Sequence, residues 1–235
     1  MTHEAIVLAG GFGTRLRDVV SDVPKPLAPV AGRPFLEYVL ERLASQDYSH
    51  IVLATGYMHD KVADCLGQSF GGMSVDYAQE TTPLGTGGAI LNALQLCSGD
   101  NVTVLNGDTL FLADLHRLQT IAAERHTPLA IALRHVPDAA RYGAVDIDET
   151  GRITRFCEKS TTDAGTDGLI NGGIYQLQRS LLAGHTVGET FSFEKDVMQR
   201  LYTDIDFYGM PSDAYFIDIG IPQDYTRAQT ELPRL

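Results

Sequence analysis

Short apolar runs alternate with amphipathic stretches along the first half of the chain. The apolar runs are rich in Val, Ile, Leu and Ala and have the length of buried strands; they cover residues 5–9, 50–54, 73–78, 102–105 and 128–134. Stretches with helical apolar spacing lie between them and predict helices over residues 34–44, 59–66 and 87–96. Such alternation is typical of a mostly parallel sheet with helices on both faces. We therefore predict an α/β fold with a mostly parallel, mixed central sheet that is flanked by helices.

The pattern changes after Pro137. Two strand candidates, 143–148 and 152–157, flank a Glu-Thr-Gly sequence at 149–151 and predict a hairpin. The other elements predicted in this half are two strands and a closing helix, at 169–177, 213–219 and 222–230, with short helical stretches near Arg179 and Glu194. No internal repeat or low-complexity segment interrupts the chain, so we expect one domain over residues 1–235.

A glycine-rich sequence follows the first predicted strand. Residues 8–16 read Leu-Ala-Gly-Gly-Phe-Gly-Thr-Arg-Leu, and Lys25 lies between two prolines. Glycines allow backbone N–H groups to approach phosphate oxygens, and Arg15 and Lys25 would neutralise a polyphosphate. A P-loop sequence is absent, and Leu16 replaces the third glycine of the dinucleotide-binding motif. The alternative is a glycine turn between a strand and a helix, with Arg15 merely solvated.

Two aspartates end apolar runs in distant parts of the sequence. Asp108 closes the run Val-Thr-Val-Leu-Asn-Gly-Asp, and Asp218 lies within Tyr-Phe-Ile-Asp-Ile-Gly. Ligands of open α/β sheets bind at the carboxyl ends of strands, and paired carboxylates suit Mg²⁺ beside substrate phosphates. We predict that Asp108 and Asp218 bind Mg²⁺, although either residue alone is also a common capping residue.

The composition limits the classes of binding partner and the cellular compartments that are compatible with this chain. The formal net charge of −12 disfavours nucleic acid and anionic membranes. Cys65, Cys97 and Cys157 form no Cys-x-x-Cys motif and are typical of reduced thiols. No signal-peptide pattern or long apolar span is present in the sequence. We therefore expect a cytoplasmic protein that binds neither nucleic acid nor membranes, and a homo-oligomer is compatible with these features.

The motifs together resemble those of the sugar-phosphate nucleotidyltransferases, in order and over essentially the whole chain. They lie at residues 8–16, 24–26, 83–89, 106–108, 158–159, 171–173 and 218–220. The resemblance implies a Rossmann-like fold of the nucleotidyltransferase type, with a nucleotide-binding N-terminal half, a sugar-phosphate-binding C-terminal half and no C-terminal β-helix domain. It also implies Mg²⁺-assisted in-line transfer of a nucleoside monophosphate from a triphosphate to a sugar 1-phosphate, with release of pyrophosphate.

Within that family, five segments look most like the guanylyltransferases that act on D-glycero-α-D-manno-heptose 1-phosphate. These segments are residues 34–38, 104–109, 169–175, 191–194 and 215–225. The likeness implies GTP and the heptose 1-phosphate as substrates and a GDP-heptose for surface polysaccharides as product. A mannose-1-phosphate guanylyltransferase, or another hexose-1-phosphate nucleotidyltransferase, remains the alternative within the family.

The resemblance also assigns roles to individual residues. Arg15 and Lys25 would be catalytic and stabilise the leaving pyrophosphate, while Asp108 and Asp218 would hold the metal. The implied nucleotide-binding residues are Leu8, Ala9, Gly10, Gly11, Gly13, Thr14, Gln79, Glu80, Gly85 and Thr86. The implied sugar-phosphate-binding residues are Gly143, Glu158, Lys159, Asn171 and Gly172.

Three of these residues carry more specific hypotheses. Glu80 would accept the N1–H and N2–H groups of guanine, because a carboxylate is an acceptor for two such donors. Gly143 and Gly172 would leave room for the sugar ring.

Two other classes of protein compete with this interpretation. A glycosyltransferase that consumes nucleotide sugars would use an Asp-x-Asp metal motif, and residues 146–148 have that spacing, although a turn is the simpler account of them. A non-catalytic relative that binds nucleotide sugars would lack part of the charged set. Arg15, Lys25, Asp108 and Asp218 are all present, which favours catalysis.

Overall fold

A computed structural model describes residues 3–11, 22–139, 143–156 and 167–234. The strands of the described residues are β1 His3–Leu8, β2 Pro29–Val30, β3 Arg33–Pro34, β4 Tyr48–Thr55, β5 Ser69–Phe70, β6 Met73–Gln79, β7 Asn101–Asn106, β8 Thr109–Phe111, β9 Leu129–Val136, β10 Val145–Ile147, β11 Ile153–Phe156, β12 Gly168–Gln178, β13 Tyr208–Ser212 and β14 Phe216–Asp218. The α-helices are α1 Phe35–Ala44, α2 His59–Leu66, α3 Gly85–Ala93, α4 Leu115–Arg125, α5 Gln199–Leu201 and α6 Pro222–Glu231, and α5 continues a π-helical segment at Phe193–Met198.

Eight of the strands form one mixed sheet in the order β13-β9-β12-β7-β1-β4-β6-β5. The strands β7, β1, β4 and β6 are mutually parallel, whereas β12 runs antiparallel to both β7 and β9. The parallel half corresponds to the strand–helix alternation of the sequence. The predicted mixed α/β sheet is therefore confirmed.

Apolar side chains of the sheet alternate between its two faces, as the pleat of a strand requires. In β1, Ala5 and Val7 enter one core cluster and Ile6 enters the other. The first cluster packs against the buried faces of α1, α2, α4 and α6, and the second packs against α3 and the π-helical segment. Both faces of the sheet are thus covered by packed elements, which leaves the ends of its strands accessible to a ligand.

Several elements differ from the sequence prediction, and three of them have a clear physical reason. Helix α4 was not predicted, because Leu115 and Leu118 are its only fully buried residues; Asp114 nevertheless caps it by accepting a hydrogen bond from the Arg117 N–H at 2.9 Å. Strand β13 was also missed, since it contains a proline and lies at the edge of the sheet, where proline is tolerated. The last predicted strand is shorter than 213–219 and pairs with β8 outside the main sheet.

The Asp-x-Asp spacing at residues 146–148 belongs to the hairpin formed by β10 and β11. Asp146 pairs with Arg155 at 2.6 Å, and Asp148 Oδ1 accepts hydrogen bonds from the N–H groups of Thr150 and Arg152. The two carboxylates are used in a cross-strand ion pair and a turn. The expected turn is therefore present, and no observation supports a metal motif there.

Among the helices in the described part of the chain, none has the length and apolar character that crossing a membrane requires.

At the end of the sheet opposite the motif loops, Glu4 is a buried carboxylate with a 5% exposed side chain. Its oxygens accept the N–H groups of Ser98 at 3.0 Å and Gly99 at 2.6 Å, and His50 Nδ1 lies at 2.9 Å. Burial raises the pKa of Glu4, but the hydrogen bonds from His50, Ser98 and Gly99 outweigh burial and hold the pKa below its ordinary value. The charged form of Glu4 therefore stabilises the fold.

We expect Glu4→Gln to lower the free energy of unfolding at pH 7 by about 1–3 kcal/mol. Because the folded pKa of Glu4 is depressed, this stabilisation is complete above the unfolded value near 4.5 and is lost as the pH falls through the folded value. Urea unfolding of both proteins should therefore converge in acid. The exposed Glu124→Gln is the control and should change stability by less than about 0.5 kcal/mol. A difference that persists below the folded pKa would contradict this account.

Candidate active site

The loops that follow β1, β4 and β7 meet at the carboxyl ends of these three neighbouring strands. The Ala9 N–H donates to the Ala54 carbonyl at 2.8 Å, and the Gly107 N–H donates to the Leu8 carbonyl at 2.9 Å. A Cβ atom on Gly107 would lie 2.6 Å from the Leu8 oxygen, so only glycine fits at this crossing. The crevice of an α/β sheet forms at such an edge.

Asp108 and Asp218 are brought together by the short ribbon of β8 and β14. Asp108 precedes β8, Asp218 ends β14, and Asp218 is in register with Thr109. The Ile219 N–H donates to the Asp108 carbonyl at 3.1 Å and closes the ribbon. The structure therefore places the two aspartates side by side, and their predicted role as metal ligands stays a prediction.

Lys25 lies between the two carboxylates. It begins a 3₁₀ turn at Lys25–Leu27, and its Nζ is 2.6 Å from Asp108 Oδ2 and 3.5 Å from Asp218 Oδ1. Its side chain is only 13% exposed. A Cβ atom on Gly220 would lie 2.8 Å from both Lys25 Nζ and Asp218 Oδ1, so a side chain at this position would displace one of these charged groups. In the structure, the Lys25 ammonium therefore faces Asp108 and Asp218.

One ammonium does not fully compensate two neighbouring carboxylates. Burial raises the pKa of Asp218, the charge of Asp108 raises it further, and Lys25 and the Gly220 N–H offset only part of the increase. Asp108 and Asp218 therefore keep a net negative charge that a further cation would neutralise.

On the other side of the crevice, α3 begins with glycines that contact residue 191. Gly85 has a φ of +72°, and a Cβ there would lie 2.5 Å from the Phe191 carbonyl oxygen. The Gly87 N–H donates to the same oxygen at 3.0 Å, and a Cβ on Gly87 would overlap the Phe191 ring. These glycines therefore serve helix packing, although Gly85 also borders the crevice.

Glu80 precedes α3, and its hydrogen bonds hold the turn that leads into this helix. Its N–H donates to the Thr55 carbonyl at 2.7 Å, and its Oε2 accepts the Leu84 N–H at 3.0 Å. Burial raises the pKa of Glu80, and the bond from Leu84 opposes that increase. One carboxylate oxygen is thus engaged in local structure.

A cavity of about 550 Å³, a size that suits a nucleotide-sized ligand, lies among these elements. Its described lining residues are Leu8, Gly10, Gly11, Lys25, Pro26, Ala54, Glu80, Pro83, Gly85, Thr86, Ala89, Asn106, Asp108, Glu194, Asp218, Gly220 and Ile221. The cavity runs from the glycine loop after β1 to the aspartate pair.

Comparison with known proteins identifies this arrangement. The sequence profile described as nucleotidyl transferase matches residues 4–234, which is nearly the whole chain. The chain belongs to the nucleotidyl transferase family. The predicted resemblance is therefore confirmed, and the cavity lies where the glycine and aspartate motifs of this nucleotidyl transferase meet.

Two curated members of the family are similar over almost their full lengths. D-glycero-alpha-D-manno-heptose 1-phosphate guanylyltransferase from Aneurinibacillus thermoaerophilus is 43% identical over 233 residues, covering 97% of this chain and 98% of that protein. The protein of the same name from Campylobacter jejuni is 39% identical over 222 residues, covering 94% and 96%. A solved structure, HddC from Yersinia pseudotuberculosis complexed with GMP-PN, is 35% identical with a TM-score of 0.84, covering 98% of this chain and 100% of that one.

The structure sorts the predicted site residues of this family member into three groups. Lining the cavity are Leu8, Gly10, Gly11, Lys25, Glu80, Gly85, Thr86, Asp108 and Asp218. Described but absent from the lining are Ala9, Gln79, Gly143, Asn171 and Gly172. Outside the described residues are Gly13, Thr14, Arg15, Glu158 and Lys159. The role of every residue in the three groups stays a prediction.

Asn171 and Gly172 form an irregular part of β12, where the pairing with β9 shifts register. Asn171 Nδ2 donates to the Tyr175 hydroxyl at 2.8 Å, and its Oδ1 accepts the Gly173 N–H at 3.0 Å. A Cβ on Gly172 would lie 2.6 Å from the Phe111 ring. The space that a side chain would occupy at residue 172 is thus filled by the Phe111 ring, so packing alone accounts for glycine here. That Gly172 also makes room for a sugar ring stays a prediction.

Two polar residues in the lining were not among the predicted site residues. Asn106 ends β7 two residues before Asp108, and Glu194 lies in the π-helical segment. Asn106 belongs to the same motif as Asp108, so the sequence contained a signal for it. The sequence around Glu194 indicated an acidic residue at a helix start, and only the tertiary structure, through its contact with Thr86, places it in the cavity wall.

Proposed function

We propose that this protein transfers GMP from GTP to D-glycero-α-D-manno-heptose 1-phosphate and releases pyrophosphate, giving a GDP-heptose for surface polysaccharides. The observation that carries this proposal is the 43% identity to a protein of that name over 97% of the chain, with the cavity at the shared motifs. The complex of HddC with GMP-PN supports a guanine nucleotide as one ligand.

We further propose that Asp108 and Asp218 hold Mg²⁺. The donor set fits, because both groups are carboxylates and two protein carboxylates plus substrate phosphates satisfy this hard cation. The residual negative charge of the pair also fits, since Lys25 is the one cationic side chain paired with the two carboxylates among the described residues. Bound there, Mg²⁺ would supply charge neutralisation at the phosphates.

The reaction needs no general base. A phosphate monoester has a second pKa near ~6, so the sugar phosphate is largely dianionic at neutral pH. One of its oxygens forms a bond to the α-phosphorus of GTP as the bond to the β-phosphate oxygen breaks. No histidine lines the cavity among the described residues. The protein would act by positioning and charge, with Lys25 and Arg15 on the leaving pyrophosphate.

The decisive experiment measures pyrophosphate release in the presence of Mg²⁺. GTP, ATP, CTP, UTP and dTTP are each combined with heptose, mannose and glucose 1-phosphates. Turnover confined to GTP and the heptose phosphate is the expected result. Turnover with mannose 1-phosphate would leave the reaction class in place and overturn the proposed sugar, and no turnover with any pair would favour a binding protein.

Glu80 provides a test of base selection. We expect Glu80→Gln to reduce the preference for GTP over ATP by roughly 10-fold to 100-fold, the usual effect of losing hydrogen bonds to a charged acceptor. The amide oxygen of glutamine can still accept the Leu84 N–H, so the turn before α3 should persist. The ratio of kcat/KM for the two nucleotides is the measurement. An unchanged ratio would remove Glu80 from base recognition.

A further inference from the structure

Glu194 is a carboxylate in the cavity wall that forms no ion pair with any described residue. It occupies the first turn of the π-helical segment, whereas Asp108 and Asp218 share Lys25. A carboxylate without a cation beside polyanionic substrates would repel phosphate. Its position in the lining therefore needs another explanation.

The side chain of Glu194 is held from one side only. Its Oε2 accepts hydrogen bonds from Thr86 Oγ1 at 2.5 Å and from Ser192 Oγ at 3.0 Å. Thr86 Oγ1 in turn accepts the Phe193 N–H at 2.9 Å. Oε1 has no hydrogen-bond partner in the part of the chain that the structure describes. The network thus fixes the carboxylate and leaves one oxygen, with two acceptor sites, for a ligand.

The neighbourhood of Glu194 links it to β12 and to the predicted sugar-binding residue there. The ring of Tyr175 packs edge-on against Phe193 with centroids 5.3 Å apart, and its hydroxyl accepts a hydrogen bond from Asn171. Burial raises the pKa of Tyr175, and the charges of Glu194 and Asp108 add to that increase. Both carboxylates therefore lie within electrostatic range of one buried phenol, whose hydroxyl contacts the predicted sugar-binding residue Asn171.

We propose that Oε1 of Glu194 accepts hydrogen bonds from ring hydroxyls of the sugar 1-phosphate and thereby selects the sugar. This inference rests on the proposed function, since it assigns the hydroxyl-bearing substrate of the same site. Two neighbouring hydroxyls satisfy the free oxygen. A sugar that lacks a hydroxyl at that place leaves a charged acceptor unpaired, which is a strong basis for rejection.

The variant Glu194→Gln tests the inference, because it keeps the size of the side chain and an amide oxygen for Thr86 and Ser192. We expect the KM for the sugar 1-phosphate to rise roughly 10-fold to 100-fold, with the KM for the nucleotide changed by less than about twofold. Glu189→Gln, which changes an exposed carboxylate that precedes this segment and lies outside the cavity lining, should change neither constant. A rise confined to the nucleotide KM would assign Glu194 to the ribose and overturn the inference, as would equal rises in both.

A deoxy series identifies the hydroxyl and separates this inference from the proposed function. Removing the hydroxyl that Glu194 binds should impair the unaltered protein strongly and Glu194→Gln only weakly. The assays use whichever sugar 1-phosphate is turned over fastest, so failure of the heptose phosphate contradicts the proposed function alone. Without turnover of any sugar, calorimetric binding of the sugar 1-phosphates to the GMP-PN-saturated protein gives the same comparison. Equal sensitivity of both proteins to every deletion would overturn the inference.

Discussion

Replacing Lys25 with methionine is expected to lower kcat/KM by about 10²- to 10³-fold and to tighten the binding of Mn²⁺ to the substrate-free protein. The loss of activity follows from removing a cation that stabilises developing charge. The gain in metal affinity follows from the position of Nζ, 2.6 Å from Asp108 and 3.5 Å from Asp218, where it competes with a divalent cation. With partial solvent screening, we expect the Kd for Mn²⁺ to fall about tenfold.

The opposite directions of the two effects make this experiment specific. Lys61→Met removes a lysine charge outside the cavity lining and should leave both activity and Mn²⁺ affinity unchanged. Electron paramagnetic resonance of free Mn²⁺ gives the affinity without turnover. If Lys25→Met weakened Mn²⁺ binding, the ammonium would be supporting the site rather than competing for it.

This competition also suggests how the site changes when substrates bind. In the structure Lys25 neutralises the aspartates, whereas the proposed chemistry places the ammonium on pyrophosphate and Mg²⁺ on the aspartates. Both arrangements involve the same three charged side chains, Lys25, Asp108 and Asp218. Under the proposed chemistry, a substrate that arrives with its own cation would free the lysine for the leaving group.

The sequence allowed this aspartate pair to be predicted because each residue ends an apolar run and strand ends meet at one edge of a sheet. It did not reveal the ribbon of β8 and β14 that joins them, since three-residue strands leave almost no periodic signal. Nor did it place Lys25 between them. A lysine between prolines is equally suited to phosphate and to carboxylate, and the choice depends on tertiary contacts.

The roles of the glycines were the hardest to predict from the sequence, for a related reason. Gly107, Gly87 and Gly172 all occupy positions where a Cβ would overlap protein atoms, at the Leu8 carbonyl, the Phe191 ring and the Phe111 ring. A glycine that accommodates a ligand and one that accommodates a neighbouring side chain have the same sequence signature. Their motifs therefore identified the family correctly, whereas the purpose of each glycine required the packing around it.

Replacing Asp218 with asparagine is expected to reduce kcat/KM by about 10²-fold or more and to stabilise the protein at neutral pH. Activity falls because a charge that organises the phosphate site is lost. Stability rises because burial and the charge of Asp108 raise the pKa of Asp218, so the folded state holds a proton more readily than the unfolded state does. The contribution of Asp218 to stability is therefore complete below its unfolded pKa near 3.8. It is lost as the pH rises through the raised folded pKa and the buried carboxyl ionises.

Thermal unfolding of the substrate-free and metal-free proteins measures the effect. At pH 7.5 we expect Asp218→Asn to raise Tm by roughly 2–4 °C, which corresponds to about 1 kcal/mol in a domain of this size. The Gly220 N–H, which donates to Asp218 Oδ1 at 2.7 Å, can still donate to the amide oxygen. The gain should disappear as the pH is lowered.

Asp146→Asn, which removes an exposed carboxylate paired with Arg155, should not raise Tm and should leave activity intact. A destabilised Asp218→Asn would mean that its bond to Lys25 outweighs the repulsion from Asp108. A gain in stability together with lost activity would identify Asp218 as a charge retained for catalysis at the expense of the fold.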